Sequence, residues 1–120
     1  MSFFVRARFD VRDEQREEFE ELACALRELA EAEPGTLLYR WFSAGAGRYL
    51  VLEEYADTAA AMAHQERAAQ LLARVGACAE MAFAELHGEI GPGIREWVRD
   101  HPQATVYPEW TGDRTPSGSR

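Results

Sequence analysis

Several residue types and segments are missing from this sequence, and each absence excludes a kind of function. The 120 residues include neither lysine nor asparagine, so all 13 basic side chains are arginines and any mechanism that needs a lysine or an asparagine is excluded. No apolar run approaches the roughly 20 residues of a membrane-spanning helix, so we expect no membrane partner. The chain also has no nucleophile elbow, no phosphate-binding glycine-rich loop and no dinucleotide fingerprint.

Basic charge and cysteine are also scarce. The formal net charge of −8, without a basic stripe to offset phosphate repulsion, argues against a nucleic-acid partner. The two cysteines, Cys24 and Cys78, lie in helical contexts without CxxC or metal-ligand spacing, which predicts buried, reduced thiols. Residues 1–6 lack the basic segment and the apolar core of a signal peptide, so we expect a cytoplasmic protein.

Length and composition indicate one globular domain. Hydrophobic residues make up 47% of the chain and charged residues 28%, which is the ordinary mixture for such a domain. We expect the domain to span residues 1–110, with a core over 3–88 and a C-terminal extension over 89–110. Residues 111–120 are polar and rich in glycine, serine and proline, which predicts a disordered tail.

Residue periodicity predicts the element order β-α-β-β-α-β, the ferredoxin-like arrangement of an α+β domain with an antiparallel sheet. Asp10 is expected to cap the first helix, and Asp57 or Thr58 the second, which runs to about Ala77 with a kink near residues 65–67. In the last strand of this unit the alternation places four side chains on one face, namely Met81, Phe83, Glu85 and His87.

The two middle strands form a predicted hairpin around Ala44-Gly45-Ala46-Gly47 and have apolar or aromatic side chains on both faces. On the first strand Leu37, Tyr39 and Trp41 share one face, and on the second strand Tyr49, Val51, Glu53 and Tyr55 share one face. The helices of one chain can cover only one face of the sheet, so the other face predicts a partner subunit. We expect Glu53 and Glu54 to form ion pairs with Arg6, Arg8 or Arg40.

The C-terminal extension has element signals of its own. Gly91-Pro92-Gly93 predicts the start of a short helix with Ile94, Trp97 and Val98 on one side. Residues 104–110 predict a further strand, and Pro108 restricts that strand to a sheet edge or to a crossing toward the partner subunit.

An ordered pattern runs through the middle of the chain: Glu33-Pro34-Gly35, a strand, a turn, a strand ending in Glu53-Glu54-Tyr55, and a helix that follows Asp57 and reaches Ala63-His64. This pattern resembles the antibiotic-biosynthesis-monooxygenase (ABM) domain, and the resemblance covers residues 3–87. It implies a dimeric α+β barrel, in which the sheets of a homodimer pack face to face. It also implies that dioxygen oxidises a small electron-rich aromatic substrate, such as an anthrone or a quinol, without a cofactor.

His64 is the strongest catalytic candidate. It shares a helical stripe with Ala61, Ala68, Leu71 and Val75, so its side chain is expected on the buried face. Such an imidazole can act as a general base or bind a substrate, and it can equally be a core histidine paired with a backbone carbonyl. The resemblance favours a catalytic His64 beside a pocket between helices and sheet. The other predicted pocket residues are Val5, Ala7, Phe9, Tyr39, Trp41, Tyr55, Leu71 and Phe83.

The end of the last core strand carries residue types that can bind a metal. Glu85, His87 and Glu89 share a strand face and, with His64, supply the ligand types of a non-haem iron site. Alternation at a strand end also produces such polar faces without a metal, so no metal is assigned.

A domain of this kind suggests three other activities. A haem-degrading branch of the superfamily carries asparagine, tryptophan and histidine where this sequence has Ala7, His64 and Arg74, so haem degradation is not expected. A non-catalytic dimer that binds a small hydrophobic ligand would have the same pattern. So would an isomerase or cyclase that uses His64 without oxygen.

Overall fold

The computed structural model describes residues 2–112, so residues 113–120 of the predicted tail lie outside the described part of the chain. One five-stranded sheet has the order β2-β3-β1-β4-β5, and it is antiparallel except for β5, which runs parallel to β4. The strands are β1 (Phe3–Asp10), β2 (Thr36–Gly45), β3 (Arg48–Tyr55), β4 (Glu80–His87) and β5 (Ala104–Tyr107). The helices are α1 (Arg16–Glu31), α2 (Thr58–Arg67), α3 (Ala69–Cys78) and α4 (Pro92–Arg99).

The predicted β-α-β-β-α-β order and the α+β fold class are confirmed. Within this one chain the sheet is open, with β2 and β5 as its edges. The helix α1 packs on the sheet because Phe19, Leu22 and Leu26 recur at spacings of three and four, and all three are buried. Burying a side chain of this size stabilises the fold by about 1.5–3 kcal/mol.

Two local predictions near α1 are wrong. Asp10 does not cap the helix: it still pairs with β3 and β4, and its carboxylate accepts a 2.9 Å hydrogen bond from Arg8. A short 3-10 turn over Asp13–Gln15 separates β1 from α1. Cys24 is exposed, because it lies on the outward side of α1, whereas Cys78 is buried; both are free thiols.

The predicted hairpin is confirmed, and glycine is required in its turn. Gly45, Ala46 and Gly47 all have positive φ, as type I′-like turns need. The Gly47 carbonyl accepts a 2.8 Å hydrogen bond from the amide of Val11, and a Cβ at Gly47 would lie 2.0 Å from the Val11 carbonyl oxygen.

Two bulges change the predicted strand faces. The register of β4 shifts so that Arg8 faces Phe83 and Phe9 faces Met81. Met81 therefore joins the helix-covered side of the sheet instead of sharing a face with Phe83. A second shift in β2 leaves Leu37 56% exposed instead of sharing the buried face of Tyr39.

The predicted second helix is divided in two. The Asp57 carboxylate accepts a 2.8 Å hydrogen bond from the amide of Ala60 and so caps α2, as predicted. The break falls at Ala68, just beyond the predicted kink. Because Ala68 is itself fully buried, the stripe that includes His64 and Val75 stays on the sheet side across the break.

The C-terminal extension forms the short helix α4 and an edge strand, as predicted, but β5 ends at Tyr107 and not at Trp110, because Pro108 has no amide hydrogen to continue the pairing. Ile94 of α4 is buried, and Gly93 lies so close to α2 that a Cβ there would be 3.0 Å from Met62 Cε. The extension thus adds a helix beside α2 and a strand at the β4 edge. No helix among residues 2–112 is long and apolar enough to cross a membrane.

All four helices leave one face of the sheet uncovered, which we call the open face. Its side chains include Phe4, Arg6, Arg8, Arg40, Phe42, Leu50, Leu52, Phe83 and Glu85. Phe4 and Phe42 are 45% and 40% exposed there. The guanidinium groups of Arg6 and Arg40 lie over the rings of Phe83 and Phe42, at 5.1 and 5.0 Å from the ring centroids.

Candidate active site

A cleft of about 610 Å³ lies between the helix-covered face of the sheet and helices α2, α3 and α4. The sheet contributes a mainly apolar floor from Phe3, Val5, Ala7, Phe9, Met81, Ala84 and Leu86. Leu72 and Val75 of α3 form one wall, and Ile94 and Trp97 of α4 form another. This volume is in the range of small-molecule sites, which are concave and largely apolar.

The predicted pocket residues divide into two groups. Val5, Ala7, Phe9 and Tyr55 line the cleft, because they share the helix-covered face of β1 and β3. The lining does not include His64 and Tyr39, which are buried, or Trp41 and Leu71, which are partly buried against the core. It also does not include Phe83, which lies on the open face. Leu72, the next residue of α3, faces the cleft where the helical pattern predicts Leu71.

Glu53 is the acidic group that the strand pattern brings to the cleft floor. It lies opposite Val5 on the helix-covered side, and its carboxylate accepts a 2.5 Å hydrogen bond from the Tyr55 hydroxyl. Removal from water raises the pKa of Glu53, an effect that the Tyr55 hydrogen bond and the charge of His64 partly offset. Burial and the nearby Glu53 raise the pKa of Tyr55, so this phenol stays protonated and donates.

The expected ion pairs of Glu53 and Glu54 with strand arginines are absent among residues 2–112. Arg6 pairs with Glu85 at 2.7 Å and Arg8 pairs with Asp10 at 2.9 Å. Glu53 cannot reach these arginines because alternation places them on the opposite face of the sheet. The alternation of the strand already places Glu53 on the same face as Val51 and Tyr55. This placement is the sequence signal for a buried carboxyl group.

Behind Tyr55 lies a buried pair that the sequence pattern does not reveal. His64 and Glu33 are 4% and 8% exposed, and His64 Nδ1 lies 2.8 Å from Glu33 Oε1. The Thr36 hydroxyl donates to the same oxygen at 2.8 Å, and Arg67 Nη1 lies 3.8 Å from Glu33 Oε2. His64 is therefore paired with a carboxylate and not with a backbone carbonyl.

Two tyrosines connect the buried pair of His64 and Glu33 to the cleft floor. The rings of Tyr39 and Tyr55 lie 5.4 and 5.7 Å from the His64 ring, and Tyr55 in turn donates to Glu53. Burial, followed by the charges of Glu53 and Glu33, raises the pKa of Tyr39 well above the ordinary phenol value. The arrangement can accept a proton at the cleft through Glu53, with neutral phenols as donors beside it.

Glu85 and His87 form an ion-paired group on the open face. They lie 3.2 Å apart, Arg6 pairs with Glu85, and the His87 ring stacks on Tyr107 with centroids 5.2 Å apart. Arg6 lowers the pKa of Glu85 below its usual range. Among residues 2–112 no three or more His, Cys, Asp or Glu side chains are arranged to hold a metal ion.

The fold and the cleft define a class: a ferredoxin-like α+β domain with an apolar small-molecule cleft between its helices and its sheet. A family model described as "Antibiotic biosynthesis monooxygenase" matches residues 2–75, which is more than half of the 120-residue chain. The chain belongs to this antibiotic biosynthesis monooxygenase family.

Solved structures support the same fold. MupZ from Pseudomonas fluorescens is 19% identical with a TM-score of 0.78, covering 99% of this chain and 98% of its own. A structure described as an antibiotic biosynthesis monooxygenase is 23% identical with a TM-score of 0.65, and the match covers 74% of this chain and 99% of that one. A variant of SnoaB, a cofactor-independent oxygenase from Streptomyces nogalater, is 15% identical with a TM-score of 0.64 and coverages of 71% and 89%. Curated protein sequences give no significant match.

Proposed function

We propose that this protein is a cofactor-independent monooxygenase that oxidises a small electron-rich aromatic substrate, of the quinol or anthrone type, with dioxygen. The main support for the proposal is the carboxyl group of Glu53, which lies at the apolar floor of a cleft of about 610 Å³, whereas Glu96 and Asp100 lie at the α4 side of the same cleft. Family membership and the name of SnoaB, a cofactor-independent oxygenase, support the reaction class.

The chemistry needs a base and an environment with little water. Glu53 accepts a proton from a phenolic O–H or an activated C–H, and the resulting anion transfers an electron to dioxygen. For an anthrone-type CH₂ group, two C–H bonds break and one C=O bond forms. One oxygen atom enters the product, and the other leaves as water with the two hydrogens. The raised pKa of Glu53 makes it a stronger base than an ordinary carboxylate.

His64 enters this proposal as a positioning residue, because it is buried behind Tyr55 and does not line the cleft. Its charge lowers the pKa of Glu53, and Glu33 fixes the orientation of its ring. His64 thus contributes, after removal from water and the Tyr55 hydrogen bond, to the pKa of Glu53, while Glu53 meets the substrate.

We also propose a cytoplasmic homodimer in which the open face of each sheet packs against that of the partner. The half-exposed Phe4 and Phe42 support this interface, because large aromatic side chains on one uncovered face favour burial against another protein surface. The free thiols Cys24 and Cys78 fit a reducing compartment.

The experiment is oxygen uptake by the purified protein with a panel of anthrones and quinols. Glu53→Gln should lower the rate about a hundredfold or more, which is the usual contribution of a general base. The matched control is Glu28→Gln, which removes one exposed carboxylate of α1 and should keep the rate. His64→Gln should move the rise of activity to higher pH, because the charge that lowers the pKa of Glu53 is lost.

Other outcomes would point to the other functions. Turnover without oxygen would indicate an isomerase or cyclase on the same fold. Binding of the panel compounds without any turnover would indicate a ligand-binding dimer. Uptake that Glu53→Gln leaves unchanged would keep the class and contradict the assigned base.

A further inference from the structure

The cleft has a wall that the family match does not include. The family model ends at residue 75, and the matches to SnoaB and to the structure described as a monooxygenase cover 71% and 74% of this chain. The helix α4 lies beyond residue 75, yet Ile94, Trp97 and Asp100 at this helix line the cleft. MupZ matches 99% of this chain, so its fold extends over the region of α4 as well. The wall is thus an addition to the part of the chain that the family model matches, and its properties follow from the side chains of this chain.

Trp97 is held in place at the wall. Its ring stacks on His101 with centroids 4.0 Å apart and 16° between the ring planes. The carbonyl oxygen of Trp97 accepts a 2.7 Å hydrogen bond from His101 Nδ1, which must therefore carry the hydrogen. Trp97 also packs against both hydrophobic clusters of the protein. A fixed indole beside an apolar floor suits a flat aromatic ring.

The charges around the cleft have one sign. None of the arginines among residues 2–112 lines it, whereas Glu53, Glu96 and Asp100 do. Arg99 lies 3.9 Å from Glu96 and offsets that charge, but within the described residues Asp100 has no ion pair. An anionic ligand would lose water on entering and would meet carboxylates without a cation to pair with.

We propose that the α4 wall, formed by Ile94, Trp97 and Asp100, makes the cleft bind an uncharged aromatic ligand more tightly than the same ring carrying a carboxylate. Trp97 supplies the packing surface, and the charge of Asp100 repels an anion. The proposal rests on the proposed function only in taking this cleft as the substrate site. It names the substrate class: a neutral, flat aromatic compound that becomes an anion only inside the cleft, when Glu53 removes its proton.

The test compares two fluorescent probes of the same shape, hydroxymethylanthracene and anthracenecarboxylate, substituted at the same carbon of the central ring. Binding is measured by fluorescence anisotropy at low ionic strength, where surface charges are least screened. The measurement is made at a pH of about 8, where a free imidazole is uncharged. We expect the alcohol to bind about fivefold tighter than the carboxylate, or more. Repulsion between two negative charges about 8 Å apart in a partly hydrated site, one on the probe and one on the cleft wall, has this magnitude.

Two matched variants separate the local charge from the net charge. Asp100→Asn and Glu28→Gln each remove one carboxylate from the net charge of −8, but only Asp100 lines the cleft. Asp100→Asn should lower the ratio of the two dissociation constants, carboxylate over alcohol, about twofold. Glu28→Gln should leave this ratio unchanged. Trp97→Ala should weaken both probes about threefold to tenfold. Trp97→Phe, which keeps a ring and protects the fold, should retain most of the binding.

Equal affinities, a preference for the carboxylate, or equal effects of Asp100→Asn and Glu28→Gln would overturn the proposal. So would failure of both probes to bind, because the cleft would then not admit an aromatic ring. Binding requires no turnover, so the two proposals can fail separately. Selective binding without oxygen uptake by any substrate would support this inference and contradict the oxygenase function.

Discussion

At the scale of single residues, the site depends on where one carboxyl group meets the cleft. Glu53 has an apolar floor on one side and a tyrosine hydroxyl on the other, and its pKa is raised by removal from water. His64, which shares the buried helical stripe with Ala61, was predictable as buried. Its partner Glu33 was not, because the two residues are separated by 31 positions and a helix end, a strand pair and a turn lie between them.

The raised pKa of Glu53 predicts a pH dependence of stability. The folded state binds this proton more tightly than the unfolded chain, so the group contributes fully below the unfolded pKa, and the contribution is lost as pH rises through the folded pKa. A difference of one pH unit between the two pKa values corresponds to about 1.4 kcal/mol. The melting temperature of the wild type minus that of Glu53→Gln should therefore fall as pH increases from acid to neutral.

Thermal unfolding across this pH range measures that difference, and Glu28→Gln on the exposed side of α1 provides the baseline. A difference for Glu53→Gln that stays flat would show that the pKa of Glu53 is the same in the folded and unfolded protein, and one that grows toward neutral pH would show that folding lowers this pKa. Either result would contradict the raised pKa of Glu53.

At the scale of elements, the regular strands and helices were predictable from periodicity, whereas the interruptions of that periodicity were not. Alternation predicts the strands, three-and-four spacing predicts α1, and a capping side chain predicts the start of α2 at Asp57. The bulges at Leu37 and Ala82 add a single residue to a strand, and no residue type in the sequence marks them. The bulge at Ala82 separates Met81 from Phe83, whereas Phe83, Glu85 and His87 keep their predicted alternation. Phe83 was predicted in the pocket because alternation does not tell which of the two faces the helices cover.

The hairpin turn predicts a clear difference between two glycines. Gly47→Ala would place a Cβ 2.0 Å from the Val11 carbonyl oxygen, in addition to the cost of its positive φ of 75°. Gly45 has a φ of 83° but no atom within 4 Å of its Cβ position. Gly47→Ala should lower the free energy of unfolding by about 2–4 kcal/mol, and Gly45→Ala by about 1 kcal/mol. Equal losses in urea titrations would contradict the close approach at Val11.

At the scale of the whole molecule, the sheet with helices on one face was predictable, but the composition of the cleft was not. The cleft is formed by strands, by α3 and by α4, which are distant in sequence and meet only in the folded chain. The helical periodicity correctly places Ile94 and Trp97 on one side of α4, but no local feature of the sequence indicates that this side closes the cleft.

The proposed homodimer gives a prediction at the same scale. Phe42→Asp introduces a charge on the open face, where Phe42 is 40% exposed, and should convert the dimer to monomers. The apolar contact of the ring is lost, and the carboxylate must lose its water between two sheets, a cost that the neighbouring Arg40 offsets only in part. Ala73→Asp adds the same charge to the exposed side of α3 and should keep the dimer. Light scattering during size-exclusion chromatography measures both masses. A monomeric wild type, or a dimeric Phe42→Asp, would contradict the interface.

Oxygen uptake with an anthrone or a quinol, measured for the wild type beside Glu53→Gln and Glu28→Gln, tests directly whether Glu53 is the base of an oxygenase reaction. We expect uptake by the wild type and by Glu28→Gln, with a loss of about a hundredfold or more in Glu53→Gln while its fold and mass are retained. Uptake at the wild-type rate by a folded Glu53→Gln would contradict the claim that the cleft carboxyl group is the base.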